Sequence, residues 1–265
     1  MVAASLKISV ITVCLNAEKH IEGAIQSVLL QMYPNIEYVI VDGVSTDGTL
    51  AIIEKYKNRI HKIVSEKDRG IYDAMNKGVR LATGDVIYFL NADDRLFDVE
   101  VLSNAASIFT LQCDVDVVVG KATVVNKPDR GMCCYRPFDM DSSTRWQLLI
   151  NNGICHQRLF VRRELFGKIG FFDLQYSFCA DWDWIFRAVN AKSKIFFMES
   201  VVVLYNFMGT SLINLKRVYP ECWRVMFKNT PFYEFLFFLI YACVRKIKTF
   251  FLRKTDSCNF EAEDE

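Results

Sequence analysis

No GxxxxGK[ST] loop occurs in the chain, and no GxGxxG turn follows its first apolar run. Neither a P-loop nor a dinucleotide-binding glycine turn is therefore available to hold phosphates. Paired CxxC motifs are also missing: nine cysteines lie scattered, with Cys133-Cys134 the one adjacent pair. That pattern excludes a disulfide framework and a cysteine-based zinc site, and it suits a reducing cytoplasm. The first residues show no basic stretch, apolar run and small-residue cleavage site in succession, so the catalytic part is not expected to be exported. The apolar run after Glu234 is far shorter than the ~20 residues that span a bilayer. A formal net charge of +1 singles out no partner, and no nucleic-acid partner is expected.

What is present is an apolar-rich chain of 265 residues, 52% hydrophobic, enough for one well-buried domain with an extension. Residues 8–15 are apolar and β-branched at nearly every position, the signature of a strand covered on both faces of a parallel sheet. Asn16 can cap the helix that follows, where Ile21, Ala24, Ile25, Val28 and Leu29 recur at helical spacing until Pro34. The unit then repeats. Residues 36–41 form a strand ending at Asp42, Leu50, Ile53 and Tyr56 mark a helix that Thr46 or Asp47 could cap, and residues 60–64 make a third strand. Ile71, Ala74, Met75, Gly78, Val79 and Ala82 share one stripe of a further helix, and Thr83-Gly84-Asp85 turns into a strand over 86–90. Such alternation predicts an α/β fold, a Rossmann-like, mostly parallel sheet flanked by helices.

Beyond it the pattern becomes irregular. A helix is expected over 99–109, strands over 115–120 and 122–125, and a polar turn over 126–131. Shorter pieces follow: helices near 142–150, 164–169 and 181–189, and strands near Leu159 and over 195–204. No repeat or flexible linker divides the chain. The expected organisation is one domain over 1–215, in two halves, 1–130 and 131–215. A helical extension over 216–256 and an acidic tail over 257–265 would complete it.

In open α/β sheets ligands bind outside the carboxyl ends of the strands. Here those ends are acidic: Asp42 after the second strand, Glu66-Lys67-Asp68-Arg69 after the third, Asn91-Ala92-Asp93-Asp94 after the fourth. Each alone reads as a turn former or helix cap. Converging carboxylates repel one another unless a cation lies between them, and hard ions such as Mg²⁺ or Mn²⁺ bridge carboxylates to substrate phosphates. A metal and diphosphate site follows, with Arg69 as a second phosphate-binding group.

Four segments then resemble family 2 glycosyltransferases in order and spacing. They are residues 8–16, Val41-Asp42-Gly43-Val44-Ser45-Thr46-Asp47-Gly48-Thr49, Asp68-Arg69-Gly70-Ile71-Tyr72-Asp73-Ala74-Met75-Asn76-Lys77-Gly78 and Phe89-Leu90-Asn91-Ala92-Asp93-Asp94. The resemblance covers residues 7–210. It implies a GT-A fold and inverting transfer from a nucleoside-diphosphate sugar, UDP being the expected nucleotide, to a glycan or lipid-linked acceptor in cell-surface polysaccharide synthesis. By that resemblance Leu15, Asn16, Asp42, Arg69, Asn76, Asn91 and Asp93 bind the nucleotide sugar, with Asp42 reading the base. Asp93 holds the metal, and Asp94 is a second candidate ligand. Asn91 departs from the usual aspartate and offers a neutral hydrogen bond instead. Ala180-Asp181-Trp182-Asp183-Trp184 resembles the family's Glu-Asp motif with Ala180 in place of Glu. It makes Asp181 the candidate general base, Asp183 the fallback, and a helix cap the plainer role of the same carboxylate. His156, Gln157 and Trp182 fall on the acceptor side, and residues 205–211 match a loop that closes over the diphosphate. A sugar nucleotidyltransferase or a non-catalytic nucleotide-binding relative are the rival readings.

The aromatic and aliphatic residues of 231–244 run into Arg245, Lys246, Lys248, Arg253 and Lys254. This mixture suits peripheral contact with an anionic leaflet at the inner face of the plasma membrane. Packing onto the domain, or a homodimer contact, fits the same residues.

Overall fold

A computed structural model describes residues 6–125, 155–206, 214–233 and 236. The expectations for 126–154, for the loop over 207–211 and for the tail beyond 236 lie outside the described residues.

The alternation runs β1 (Ile8–Cys14), α1 (Ile21–Leu29), β2 (Ile36–Asp42), α2 (Thr49–Lys55), β3 (Lys62–Ser65), α3 (Ile71–Leu81), β4 (Val86–Phe89). After a two-residue β5 (Arg95–Leu96) come α4 (Val101–Leu111) and β6 (Val117–Val125). The rest is β7 (Leu159–Arg162), α5 (Arg163–Ile169), α6 (Ala180–Asn190), β8 (Ile195–Asn206) and α7 (Leu215–Asn229). One eight-stranded sheet has the order β3-β2-β1-β4-β7-β6-β8-β5. β1 to β4 pair in parallel, and β7 enters antiparallel between β4 and β6.

Successive strand residues point to opposite faces, so the sheet carries two cores. Ile11, Val13, Val39, Val41, Ile87 and Phe89 face α3, α5, α6 and α7. Ile8, Val10, Tyr38, Ile40, Val86 and Tyr88 face α1, α2 and α4. α3 lies so close to β1 that a Cβ at Gly78 would come 2.4 Å from Ile11 Cγ2. A glycine in mid-helix costs about 0.5–1 kcal/mol relative to alanine, and here it permits the packing that sets α3 over the sheet.

Local details differ from expectation for physical reasons. Asn16 does not cap α1, which starts four residues later behind His20. It adopts φ 51° and its Oδ1 accepts Thr46 N–H at 2.9 Å, joining two strand-end loops. Asp47 does serve α2, accepting Thr49 N–H at 3.0 Å. The strands expected over 115–120 and 122–125 are one, β6, with register shifts about Lys121 where it pairs with β8.

The expected boundary at 215/216 falls against a helix that is part of the core. α7 buries Val225 and Met226 among α6 and α3 residues. Glu221 is also buried, and its carboxylate accepts the Ser177, Phe178 and Cys179 N–H groups at 3.0, 2.8 and 3.2 Å. Cys179 and Cys222 meet sulfur to sulfur at 3.3 Å. α7 thus holds the turn that leads into α6. No helix among the described residues is long and apolar enough to cross a membrane.

Candidate active site

A cleft of about 600 Å³ opens beyond the carboxyl ends of β1 and β4, where a parallel sheet directs its ligands. Leu15, Asn16, Asn91, Asp93, His156, Gln157 and Asp181 all line it, although they come from four separate stretches of chain.

The wall after β1 and β4 is made of loop residues with open hydrogen-bonding capacity. Leu15 and Asp93 are exposed. Asp68 joins this wall, its Oδ1 accepting Gly70 N–H at 2.9 Å. Asp42 is the anchor below: it is fully buried, and its carboxylate accepts Val44 N–H, Ser45 N–H and the Ser45 and Ser65 hydroxyls. Burial alone would raise its pKa, but the hydrogen bonds from Ser45 and Ser65 outweigh that and hold it below the ordinary carboxylate range.

The opposite wall is a continuous chain of hydrogen bonds. Asp181 stands in the first turn of α6, where the helix dipole favours a negative charge. Its Oδ1 accepts the Tyr72 hydroxyl at 2.8 Å and Trp182 N–H at 2.9 Å. Its Oδ2 accepts His156 N–H at 3.2 Å and lies 3.1 Å from His156 Nδ1. A carboxylate accepts, so Nδ1 carries a proton. The far nitrogen, Nε2, lies 3.0 Å from the Asn91 side chain. Burial would again raise the Asp181 pKa, yet His156 and the Tyr72 hydroxyl together lower it. The group is therefore an anion at neutral pH, held by four donors.

Several expected site residues stand elsewhere. Arg69 projects into solvent with a side chain 77% exposed and pairs with Asp73 at 3.6 Å. It is not on the cleft wall, because the turn into α3 leaves Asp68 and Gly70 there instead. Asn76 stands off the cleft wall: its amide donates to Phe172 O at 2.9 Å and accepts Phe172 N–H at 3.0 Å, pinning the segment before α6. Asp42 does not reach the cleft surface for the reasons above. Asp94 turns away from Asp93 into the protein and accepts Asn206 N–H at 3.0 Å and Gln157 Nε2–H at 3.2 Å. Burial, then the charge of Asp93, pushes its carboxyl up to about 7. It is 1% exposed and does not line the cleft. Trp182 packs on Phe186 with ring centroids 5.5 Å apart, outside the cleft. Asp183 is fully buried and paired with Arg187 at 2.8 Å and Lys228 at 3.2 Å, which removes it as a base.

The described residues contain no group of three metal-ligating side chains. A hard divalent ion that bridges to phosphates needs only one or two protein carboxylates, the remainder coming from substrate and water. Asp93, exposed on the cleft wall, fits that requirement. Sequence reasoning passed over Tyr72 and named Asp68 only within an acidic strand end. Both stand inside the Asp68-to-Gly78 motif, so their position was visible while their contacts were not.

The sequence model for glycosyl transferase family 2 matches residues 9–170, more than half of the chain. The chain belongs to that family. A family relative, the PGL/p-HBAD biosynthesis glycosyltransferase Rv2957 of Mycobacterium tuberculosis, is 36% identical over 205 residues, covering 76% of this chain and 77% of the relative. The putative teichuronic acid biosynthesis glycosyltransferase TuaG of Bacillus subtilis is 42% identical over 91 residues, 33% of this chain and 36% of TuaG. Among solved structures, S. aureus TarS 1-349 in complex with UDP-GlcNAc superposes with a TM-score of 0.65 at 24% identity, covering 77% of this chain and 59% of that one. The mannosyltransferase PcManGT from Pyrobaculum calidifontis, in complex with GDP-Man and Mn²⁺, gives 0.62 at 21% identity, covering 84% and 65%. At these identities the structural likeness establishes the GT-A fold, and the chain spans about three fifths of the TarS structure.

Proposed function

We propose that this family 2 member transfers a sugar, with inversion, from a UDP-sugar to a hydroxyl of a glycan or lipid-linked acceptor in cell-surface polysaccharide synthesis at the inner face of the plasma membrane. The carrying observation is that Asp181, anchored by Tyr72 and His156, shares one cleft with the exposed Asp93. The TarS complex with UDP-GlcNAc and the polysaccharide-related names of the bacterial relatives support donor and setting.

The acceptor hydroxyl approaches the Asp181 wall and loses its proton to that carboxylate. Its oxygen bonds to the anomeric carbon as the bond from that carbon to the diphosphate oxygen breaks, releasing UDP. His156 and Tyr72 keep the Asp181 oxygens aimed at the cleft and water-poor. Asp93 is the residue to hold Mg²⁺ or Mn²⁺, and such an ion supplies charge neutralisation on the departing diphosphate. Asn91 bonds His156 and presents its remaining capacity to a donor hydroxyl.

A panel of UDP-sugars incubated with Mn²⁺ and a lipid-linked glycan extract tests this reading. UDP release and sugar incorporation are expected, both lost in Asp93→Ala and Asp181→Ala. Pyrophosphate formation from UTP and a sugar phosphate would indicate a nucleotidyltransferase instead.

A further inference from the structure

The cleft lies on one side of α7, and the other side of that helix has no role in the chemistry above. Leu215, Tyr219, Trp223 and Phe227 recur every four residues, which sets them on one face. All four are exposed, between 41 and 59%, and Phe232 and Tyr233 continue the strip at 76 and 62%. Exposed large apolar residues elsewhere on the domain are scattered along separate elements.

Charge on the helix is as one-sided as its hydrophobicity. Lys216, Arg217 and Arg224 are exposed, Lys228 is paired with Asp173 and Asp183, and the helix's single acid, Glu221, is buried and engaged with backbone N–H groups. The sequence stays basic afterwards: residues 235–255 contain five Lys or Arg and no acid.

We propose that α7 is a docking face for an anionic lipid bilayer, its aromatic strip entering the headgroup region while the basic residues contact acidic headgroups. Rings flanked by cations on a folded helix are the chemistry of interfacial binding. Two other occupants are disfavoured by charge. A second copy meeting this face symmetrically would set cations against cations. The chain's own basic residues 245–254 would do the same, and a contact made by the uncharged residues 235–244 would show as lowered melting of the double variant below. The site for membrane contact therefore begins inside the folded domain, ahead of the tail to which sequence reading assigned it.

This placement has a consequence for acceptor choice, which rests on the proposed transfer. Glu221, on the buried side of the same helix, grips the backbone of 177–179, and Asp181 follows two residues later. Ser177 and Phe178 line the cleft. A docked α7 brings the acceptor wall to the bilayer, where a lipid-linked glycan is delivered.

Vesicle sedimentation of the full chain tests the surface directly. Phosphatidylcholine vesicles containing phosphatidylglycerol should carry the protein down in low salt, and pure phosphatidylcholine should not. Tyr219→Ser with Trp223→Ser should weaken binding at least about ten-fold, given the apolar area removed, with unchanged melting and UDP binding. Lys216→Glu should weaken it several-fold and flatten its salt dependence. Vesicle binding should persist in Asp93→Ala, so a failed transfer assay leaves this inference standing. Three results would overturn it: no binding to anionic vesicles, undiminished binding by the double variant, or that variant instead abolishing a dimer or single-stranded nucleic-acid binding.

Discussion

The two walls of the cleft are built on opposite plans. The wall after β1 and β4 carries loop groups, the exposed Leu15 and Asp93 with the half-buried Asp68. The wall from α6 carries a buried carboxylate whose two oxygens already accept four donors. Loose, solvated groups suit a charged donor that arrives with its own phosphates and cation. A fixed anion in a nearly dry setting suits a step in which one proton must move at one atom. Under the proposed function, the difference separates binding from chemistry by element: strand-end loops would bind, and a helix start would react.

The largest effect should come from breaking the reacting wall. Asp181→Asn keeps the side chain's size and removes its charge, and is expected to lower kcat by about 10²–10⁴-fold while leaving UDP affinity near that of the native chain. A matching loss of affinity would show that the walls are not separate.

Removing the support behind that wall comes next. Glu221→Ala removes the acceptor of three N–H groups, that of the buried Cys179 among them, and should cost about 1–3 kcal/mol of stability, seen as a lower melting temperature together with reduced transfer. Unchanged melting would mean that α7 does not hold the turn into α6.

A smaller change sharpens the comparison. Tyr72→Phe deletes one donor to the ionised form of Asp181, which raises that carboxyl's pKa. The acid limb of the kcat profile should move to higher pH and transfer should fall several-fold, with the donor KM unmoved.

The smallest effect lies far from the cleft and concerns stability alone. Burial would raise the Glu37 pKa, but Ser9, Thr83 and Lys62 hold it at about 2. A depressed carboxyl stabilises the fold above its ordinary range and loses that contribution as pH falls toward about 2. Melting temperature should therefore drop from roughly pH 4.5 downward, and Glu37→Gln should flatten that drop.

The parallel half of the fold was legible because local pattern decided it. Ile8–Cys14, Ile36–Asp42 and Val86–Phe89 are continuous apolar runs, and the α3 stripe has a clean helical period. The antiparallel strand Leu159–Arg162 was visible as a strand, but its insertion beside β4 depends on contacts between residues more than 70 apart in the chain. The same limit governed the site. Asp93 and Asp181 could be read from motifs, whereas the bond from Tyr72 to Asp181 joins positions 109 apart. Arg69, Asn76, Asp94 and Trp182 were assigned by motif position, and the direction each side chain takes is fixed by packing. α7 was read as part of an extension over 216–256, because Glu221, Val225, Met226 and Asn229, which bind it to the core, are only four positions among fifteen.

UDP titration by calorimetry, with and without Mn²⁺, of the native chain, Asp93→Ala and Asp181→Asn tests the division of labour most directly. The account predicts that Mn²⁺ tightens UDP binding in the native chain and in Asp181→Asn, and that Asp93→Ala loses this tightening. Loss of UDP binding in Asp181→Asn, or full metal-dependent tightening in Asp93→Ala, would contradict it.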